Sequence, residues 1–295
     1  MNVIKLLIVF FLWALCFPLI EIGQASVPPL LFATFRALLA GLALLVIASA
    51  LKRPWPTSVR AWVQIGVIGL GATSLGFWGM FEAARWVSPG LATVVANIQP
   101  LVAAGLAAVF LKETLSLKTL CGLVGGFVGI VLIALPSFGQ NGPDGPAVGF
   151  GFLAISMLGI SISNVMIKHA VTSIDPLVMM GLQLMFGAIP LGLASPIVEA
   201  GRAIEFTGAF GLSLVLLALP GTALVYWLWT DVLRKTELSR ANAFSFLVPV
   251  IGLFLGWTFY NETLSPMTLV GALVVIGGLA AANWPSQEKD DAPTI

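Results

Sequence analysis

The chain has 295 residues, of which 59% are hydrophobic and only 9% charged, with 31 glycines besides. A soluble domain carries about 25% charged residues, so this composition excludes a water-soluble globule. The net charge of +1 excludes the basic footprint of a nucleic-acid-binding protein.

Apolar stretches fall at 3–21, 28–51, 61–81, 89–111, 117–135, 147–168, 176–197, 208–230, 239–260 and 266–284, between proline, glycine and charge clusters. A bilayer span takes about 20 apolar residues, so ten spans use about 200 and leave no room for a sizeable soluble domain. The first stretch, with Lys5 ahead of an apolar run, superficially resembles a signal peptide. It runs to Ile20 without a small-x-small cleavage site and more spans follow, so it reads as the first transmembrane helix. Clear breaks lie at Lys52-Arg53-Pro54, at Gly139 to Pro146 and at Glu199 to Glu205, and the tail from Ser286 to Ile295 is polar. Cys16 and Cys121 sit inside apolar runs, with neither metal-ligand spacing nor a disulfide framework.

With the N-terminus in the cytoplasm, Lys5, Lys52, Arg53, Arg60, Lys112, Lys118, Lys168, Arg234, Lys235, Arg240 and Lys289 all fall on the cytoplasmic side. Only Arg85 and Arg202 fall on the other. Basic residues concentrate in cytoplasmic loops, so this asymmetry supports ten spans with both termini inside.

A shift of 149 residues superimposes the two halves of the chain. Pro100 falls on Pro249, and Glu113-Thr114-Leu115-Ser116 on Glu262-Thr263-Leu264-Ser265. Trp78 falls on Trp227, Glu82 on Asp231 and Arg85 on Arg234. In the first two helices of each half a shift of 147 fits, pairing Pro29 with Pro176 and Phe17 with Asn164. Five spans per repeat is odd, so the second copy enters the membrane upside down. The expected fold is an all-α integral membrane protein. It has ten transmembrane helices as two inverted five-helix repeats, residues 1–140 and 141–295, with both termini cytoplasmic. Inverted repeats are typical of secondary transporters, with the substrate near midplane where the halves meet.

The layout and these motifs resemble the EamA-type family of the drug/metabolite transporter superfamily. The likeness rests on the two copies of proline, apolar run, Glu-Thr-Leu-Ser and Gly-rich helix at Pro100 to Gly129 and Pro249 to Gly278. Leu12-Trp13-Ala14 and Ala33-Thr34-Phe35-Arg36 are also similar to the family's first two helices. Ala14 departs from the glycine usual after that tryptophan. The resemblance implies an inner-membrane exporter of amino acids or other small metabolites.

Arg36 lies about eight residues, or about 12 Å, inside the second span. A cation at that depth normally faces a cavity or a partner. It is either a contact for a substrate carboxylate or a structural group satisfied by helix-end carbonyls or Glu21. In the third span Ser74, Trp78, Glu82 and Arg85 share one helical face, and Trp227, Asp231 and Arg234 repeat it in the eighth. Acid and base three apart can pair along a helix. The pairs read as gates at opposite ends or as charges marking helix ends, and the tryptophans as cavity walls or interfacial anchors. If protons couple, Glu82 and Asp231 are the first carriers to consider, then Glu21.

Thr93, Asn97 and Pro100, and Asn242, Ser245 and Pro249, follow helical spacing in the fourth and ninth spans. Asn97 and Asn242 read as substrate contacts or as hydrogen-bonding glue between helices. Ser161, Asn164 and Lys168 share a face, as do Trp13, Phe17 and Glu21, offering one polar wall and one aromatic wall. Packing is the alternative. Trp13, Phe17, Trp78, Tyr226 and Trp227 together suit an apolar or cationic part of a ligand. Glu113 and Glu262 read as caps for the helix that follows each. His169, the one histidine, reads as interfacial, with a proton role as the alternative.

No phosphate-binding Gly-x-x-x-x-Gly-Lys-Ser/Thr loop, His-Glu-x-x-His motif or nucleophile elbow occurs, so neither a cofactor nor an enzymatic activity is expected. The expected partners are a small-molecule substrate and the lipid bilayer, and the default assembly is a monomer. An integral-membrane enzyme and a channel-like protein without carrier activity are the alternatives.

Overall fold

A computed structural model of the chain describes residues 3–83, 86, 97–135, 146–260 and 264–283. Among these, every regular element is a helix. In chain order they are α1 (Val3–Gln24), α2 (Pro29–Ala50) and α3 (Val59–Ile68), which runs through a π-helical segment (Gly69–Leu75) into α4 (Gly76–Ala83). Then come α5 (Gln99–Phe110), α6 (Leu117–Ala134), α7 (Pro146–Ala170) and α8 (Pro176–Val198). A second π segment (Leu219–Leu224) joins α9 (Gly208–Ala218) to α10 (Val225–Leu233). The chain continues through α11 (Leu238–Ala243), a 3-10 turn (Phe244–Phe246), α12 (Leu247–Tyr260) and α13 (Pro266–Ala282).

Among the described residues, eight helical stretches are long and apolar enough to cross a membrane, and α5 and α13 are shorter apolar helices. Apolar side chains such as Val109, Leu193, Ile197 and Leu273 are more than two-thirds exposed, on a surface that water would not tolerate at this density.

Local chemistry sets the helix ends. Ser58, Ser116, Thr207 and Ser265 each accept a hydrogen bond from the backbone amide three residues on, satisfying one of the free donors at a helix start. Proline opens α2, α8 and α13, where its missing N–H costs nothing.

Two helix starts are capped from far along the chain. Glu199, at the end of α8, accepts from the amides of Leu30 at 2.8 Å and Leu31 at 3.1 Å, and Ser195 donates to the same carboxylate. Glu113 accepts from the amides of Leu238 at 2.6 Å and Ser239 at 3.1 Å and from the Ser239 hydroxyl at 2.9 Å. This corrects the expectation that Glu113 caps the next helix. That role falls to Ser116, and Glu113 caps α11 in the other half of the chain. Glu262 lies outside the described residues.

The π segments occupy matching places in the two halves, one starting at Gly69 and the other at Leu219. In the second, Pro220 removes a backbone donor and Thr222 donates to the carbonyl five residues back, Leu217, at 2.7 Å. In the first, Ser74 donates to the Gly187 carbonyl of α8 at 2.8 Å.

Helices α6 and α13 pack closest, through glycines. A Cβ on Gly122 would stand 2.5 Å from the Gly278 carbonyl oxygen, and one on Gly278 2.7 Å from that of Gly122. Gly129 and Gly271 approach in the same way, each 2.7 Å from the other's carbonyl. Without a hydrophobic drive between helices in lipid, backbone approach through small residues supplies the attraction. Elsewhere the core is made by Leu6, Phe10, Ile65, Ile68, Met179 and Leu184, with Trp229 among them.

Candidate functional site

Arg36 of α2 is 9% exposed and points across to the second half of the chain. Its Nε donates to the Thr222 hydroxyl at 2.8 Å, and that hydroxyl donates onward to the Leu217 carbonyl at 2.7 Å. A terminal guanidinium nitrogen reaches the Cys16 sulfur at 3.8 Å, and the guanidinium carbon lies 5.1 Å from the Phe77 ring centroid. A cation over an aromatic face is held without a counter-charge. Among the described side chains Arg36 pairs with no carboxylate; the Glu21 side chain lies outside them.

The aromatic layer starts four residues beyond Thr222. Tyr226 stands 6.5 Å from Trp13, edge to face, and Trp13 stands 6.1 Å from Trp229 and 5.2 Å from Phe10. Trp229 donates from its indole nitrogen to the Asn164 side-chain oxygen at 3.3 Å. Helices α1, α2, α7 and α10 thus bring Arg36, Trp13, Tyr226 and Asn164 into one connected layer with a cation at one end and an amide at the other. The Phe17 side chain lies outside the described residues.

Helical spacing alone does not point to two residues of this neighbourhood, Phe77 and Trp229. The two tryptophans expected to line the cavity or anchor at the interface, Trp78 and Trp227, face outward. Trp78 is 36% exposed and packs on Phe152, and Trp227 is 43% exposed. A helix turns about 100° per residue, so the inner pair is one position earlier, Phe77 and Tyr226, which are also equivalents under the 149-residue shift. Tyr226 and Trp229, three apart, were the available signal.

The expected pairing of Asp231 with Arg234 is also corrected. Asp231 forms an ion pair with Lys5 of α1, and Arg234 donates to the Val171 carbonyl at 3.1 Å. The cation of α1 lies across from the α10 carboxylate, whereas Arg234 points to the open carbonyls after α7. Glu82 is half-buried near the end of α4, and Arg85 lies outside the described residues, as does Thr93.

Asn242 is 3% exposed, and its amide nitrogen is buried without a hydrogen-bond partner. An unpaired buried donor costs about 1–3 kcal/mol, which a ligand oxygen would recover. Asn97 sits half-buried in the turn ahead of α5. Ser245 donates to the Asn242 carbonyl at 2.8 Å and Ser161 to the Gln99 carbonyl at 3.4 Å, both structural uses. Lys168 caps the end of α10, donating to the carbonyls of Leu233 at 2.6 Å and Thr236 at 2.7 Å. His169 contacts Arg60 at 3.2 Å, at the rim of the bundle. Among the described residues no group of three His, Cys, Asp or Glu side chains could hold a metal ion.

Comparison with known proteins agrees with this architecture. A probable amino-acid metabolite efflux pump of Salmonella typhimurium is 29% identical over 286 residues, covering 92% of this chain and 91% of that protein. An uncharacterized transporter of Bacillus subtilis is 25% identical over 287 residues, covering 95% and 91%. A chloroplastic WAT1-related protein of Arabidopsis thaliana is 26% identical over 282 residues, covering 94% and 68%. A solved crystal structure superimposes with a TM-score of 0.79 over 95% of both chains at 20% identity, a likeness of fold. The EamA-like transporter family matches residues 1–135 and 147–284, so the chain belongs to that family and is a multi-pass membrane transporter.

Proposed function

We propose that the chain is a secondary transporter that exports small amphipathic metabolites, amino acids or related compounds, across the inner membrane by alternating access. The observation that carries this reading is Arg36, a buried guanidinium without a carboxylate partner among the described side chains, beside the aromatic layer of Trp13, Tyr226 and Trp229. A substrate carboxylate replaces the weak Cys16 contact and draws on a charge-assisted hydrogen bond. The apolar or cationic remainder of the substrate lies on the rings. The names of relatives from Salmonella typhimurium and Escherichia coli, probable amino-acid metabolite efflux pumps, support the substrate class.

The transport cycle follows from two inverted halves, residues 1–140 and 141–295, rocking about this layer with both termini in the cytoplasm. The matching π segments, the reciprocal glycine contacts of α6 and α13 and the distribution of basic residues support that arrangement. The Lys5–Asp231 pair ties α1 to α10 and breaks when that end opens. A monomer contains both halves and suffices.

The test is counterflow in proteoliposomes with the purified chain and a panel of labelled amino acids and amines. Saturable, protein-dependent accumulation of one class is expected. Folded protein with no counterflow across the panel overturns the substrate class, and non-saturable flux overturns the carrier mechanism.

A further inference from the structure

A cavity of about 410 Å³ opens between the first turn of α3 and the end of α7, and none of its lining residues belongs to the aromatic layer. Arg60 and Gln64 line it from α3, and His169, Thr172 and Ser173 from α7 and the turn after it. Its chemistry is basic. Arg60 reaches the His169 ring at 3.2 Å, and no carboxylate pairs with Arg60 among the described residues. The acid on the same turn, Asp175, is already engaged: one oxygen accepts from the amides of Leu177 and Val178, and the other faces Arg53 at 3.9 Å.

More cations surround that turn. Arg53 meets Asp175, Arg234 meets the Val171 carbonyl, and Lys168 is fixed on the carbonyls of Leu233 and Thr236. Arg60 thus has a ring nitrogen and no carboxylate as its partner among the described residues, in a positive neighbourhood, and its fork of donors matches phosphate oxygens better than a single ring nitrogen.

The neighbouring strip of α3 is apolar. Val59 is 80% exposed, Val63 59% and Trp62 38%. Residues 60 and 64 line the cavity, and residues 59 and 63 lie on the adjoining strip of the same helix. We propose that this cavity is a headgroup site for an anionic phospholipid, whose phosphate sits on Arg60 and His169 and whose acyl chains run along Val59 and Val63. A soluble phosphate would use the first part and leave the second uncovered. The bound lipid bridges α3 and α7 at the bundle rim.

The experiment delipidates the purified full chain and reconstitutes it in nanodiscs of phosphatidylcholine with phosphatidylglycerol of the same acyl chains. Retained lipid is measured by mass spectrometry after re-extraction, and inorganic phosphate is titrated in parallel. Enrichment of phosphatidylglycerol by about fivefold is expected, the worth of one basic group near an anionic surface. Arg60→Gln and His169→Gln are expected to reduce that enrichment, and Arg60→Lys to keep part of it. Arg202→Gln, which removes an exposed cation at the opposite end of α8, is expected to leave it unchanged. Equal retention of both lipids overturns the proposal, as does enrichment that survives Arg60→Gln. Displacement of the lipid signal by millimolar inorganic phosphate assigns the cavity to a soluble anion and overturns the lipid. All variants are exposed-surface changes, and gel filtration confirms that they are folded before the comparison is read.

Discussion

Arg36 donates to the Thr222 hydroxyl at 2.8 Å, and the contact has a mirror in the other half of the chain. Thr73, the equivalent of Thr222 under the 149-residue shift, donates to the side-chain oxygen of Gln183 at 2.9 Å. Gln183 is the equivalent of Arg36 under the 147-residue shift that fits the first two helices. The same scaffold therefore places a cation at one position and a neutral amide at the other, and the proposed carboxylate contact rests on that asymmetry. Arg36→Gln, which makes the two halves alike, is expected to lower counterflow of a carboxylate substrate at least about tenfold, the worth of a hydrogen bond to a charged group. Wild-type transport by folded Arg36→Gln removes Arg36 from the substrate site.

The inner and outer aromatic pairs give a second expectation. Tyr226→Ala and Phe77→Ala are expected to reduce transport severalfold, whereas Trp227→Ala and Trp78→Ala, one position on, leave the substrate affinity unchanged. Apparent affinities from concentration-dependent uptake make the comparison. Equal losses in both pairs place the layer's role in folding.

Much of this was legible in the sequence, and the part that was not has a physical cause. Long apolar runs, caps and prolines mark α1, α2, α7 and α8 because lipid and water differ so much as solvents. Arg36 stood out for its depth. The facing of Trp78 and Trp227 was missed because a lipid-exposed helix is apolar on every side, so hydrophobic periodicity no longer separates inside from outside. For Glu113 and Asp231 sequence spacing shows only neighbours, while their partners in the fold lie 125 and 226 residues away.

Close packing of α6 on α13 makes size at Gly122 and Gly278 the next expectation. Gly122→Ala and Gly278→Ala are expected to destabilise the protein by about 1–3 kcal/mol, since the added carbon meets backbone rather than a movable side chain. Gly277→Ala, with nothing within 4 Å of its added carbon, is the control and is expected to be neutral. Thermal unfolding in one detergent reads both.

The Lys5–Asp231 pair is about a third exposed on each side, so its direct contribution to stability is small, about 0.2–1 kcal/mol. Its expected effect is on conformation. Asp231→Asn should raise the accessibility of a cysteine reporter placed near that end, and exchanging the two charges should restore the wild-type pattern. A reporter indifferent to both changes rules out a gating role.

Glu113 caps α11 through two amides and a hydroxyl, so Glu113→Ala is expected to cost about 1–2 kcal/mol. Glu113→Gln should cost less, because it keeps an oxygen acceptor. Denaturation midpoints of the two variants test the order.

The two long-range caps also impose a schedule on synthesis. The amides at the start of α2 leave the ribosome about 169 residues before the Glu199 carboxylate that satisfies them, and Glu113 waits 125 residues for the start of α11. Each half therefore enters the bilayer with polar groups that only the other can complete. A nascent chain stalled between them leaves those amides and that carboxylate without the partners they have in the finished molecule.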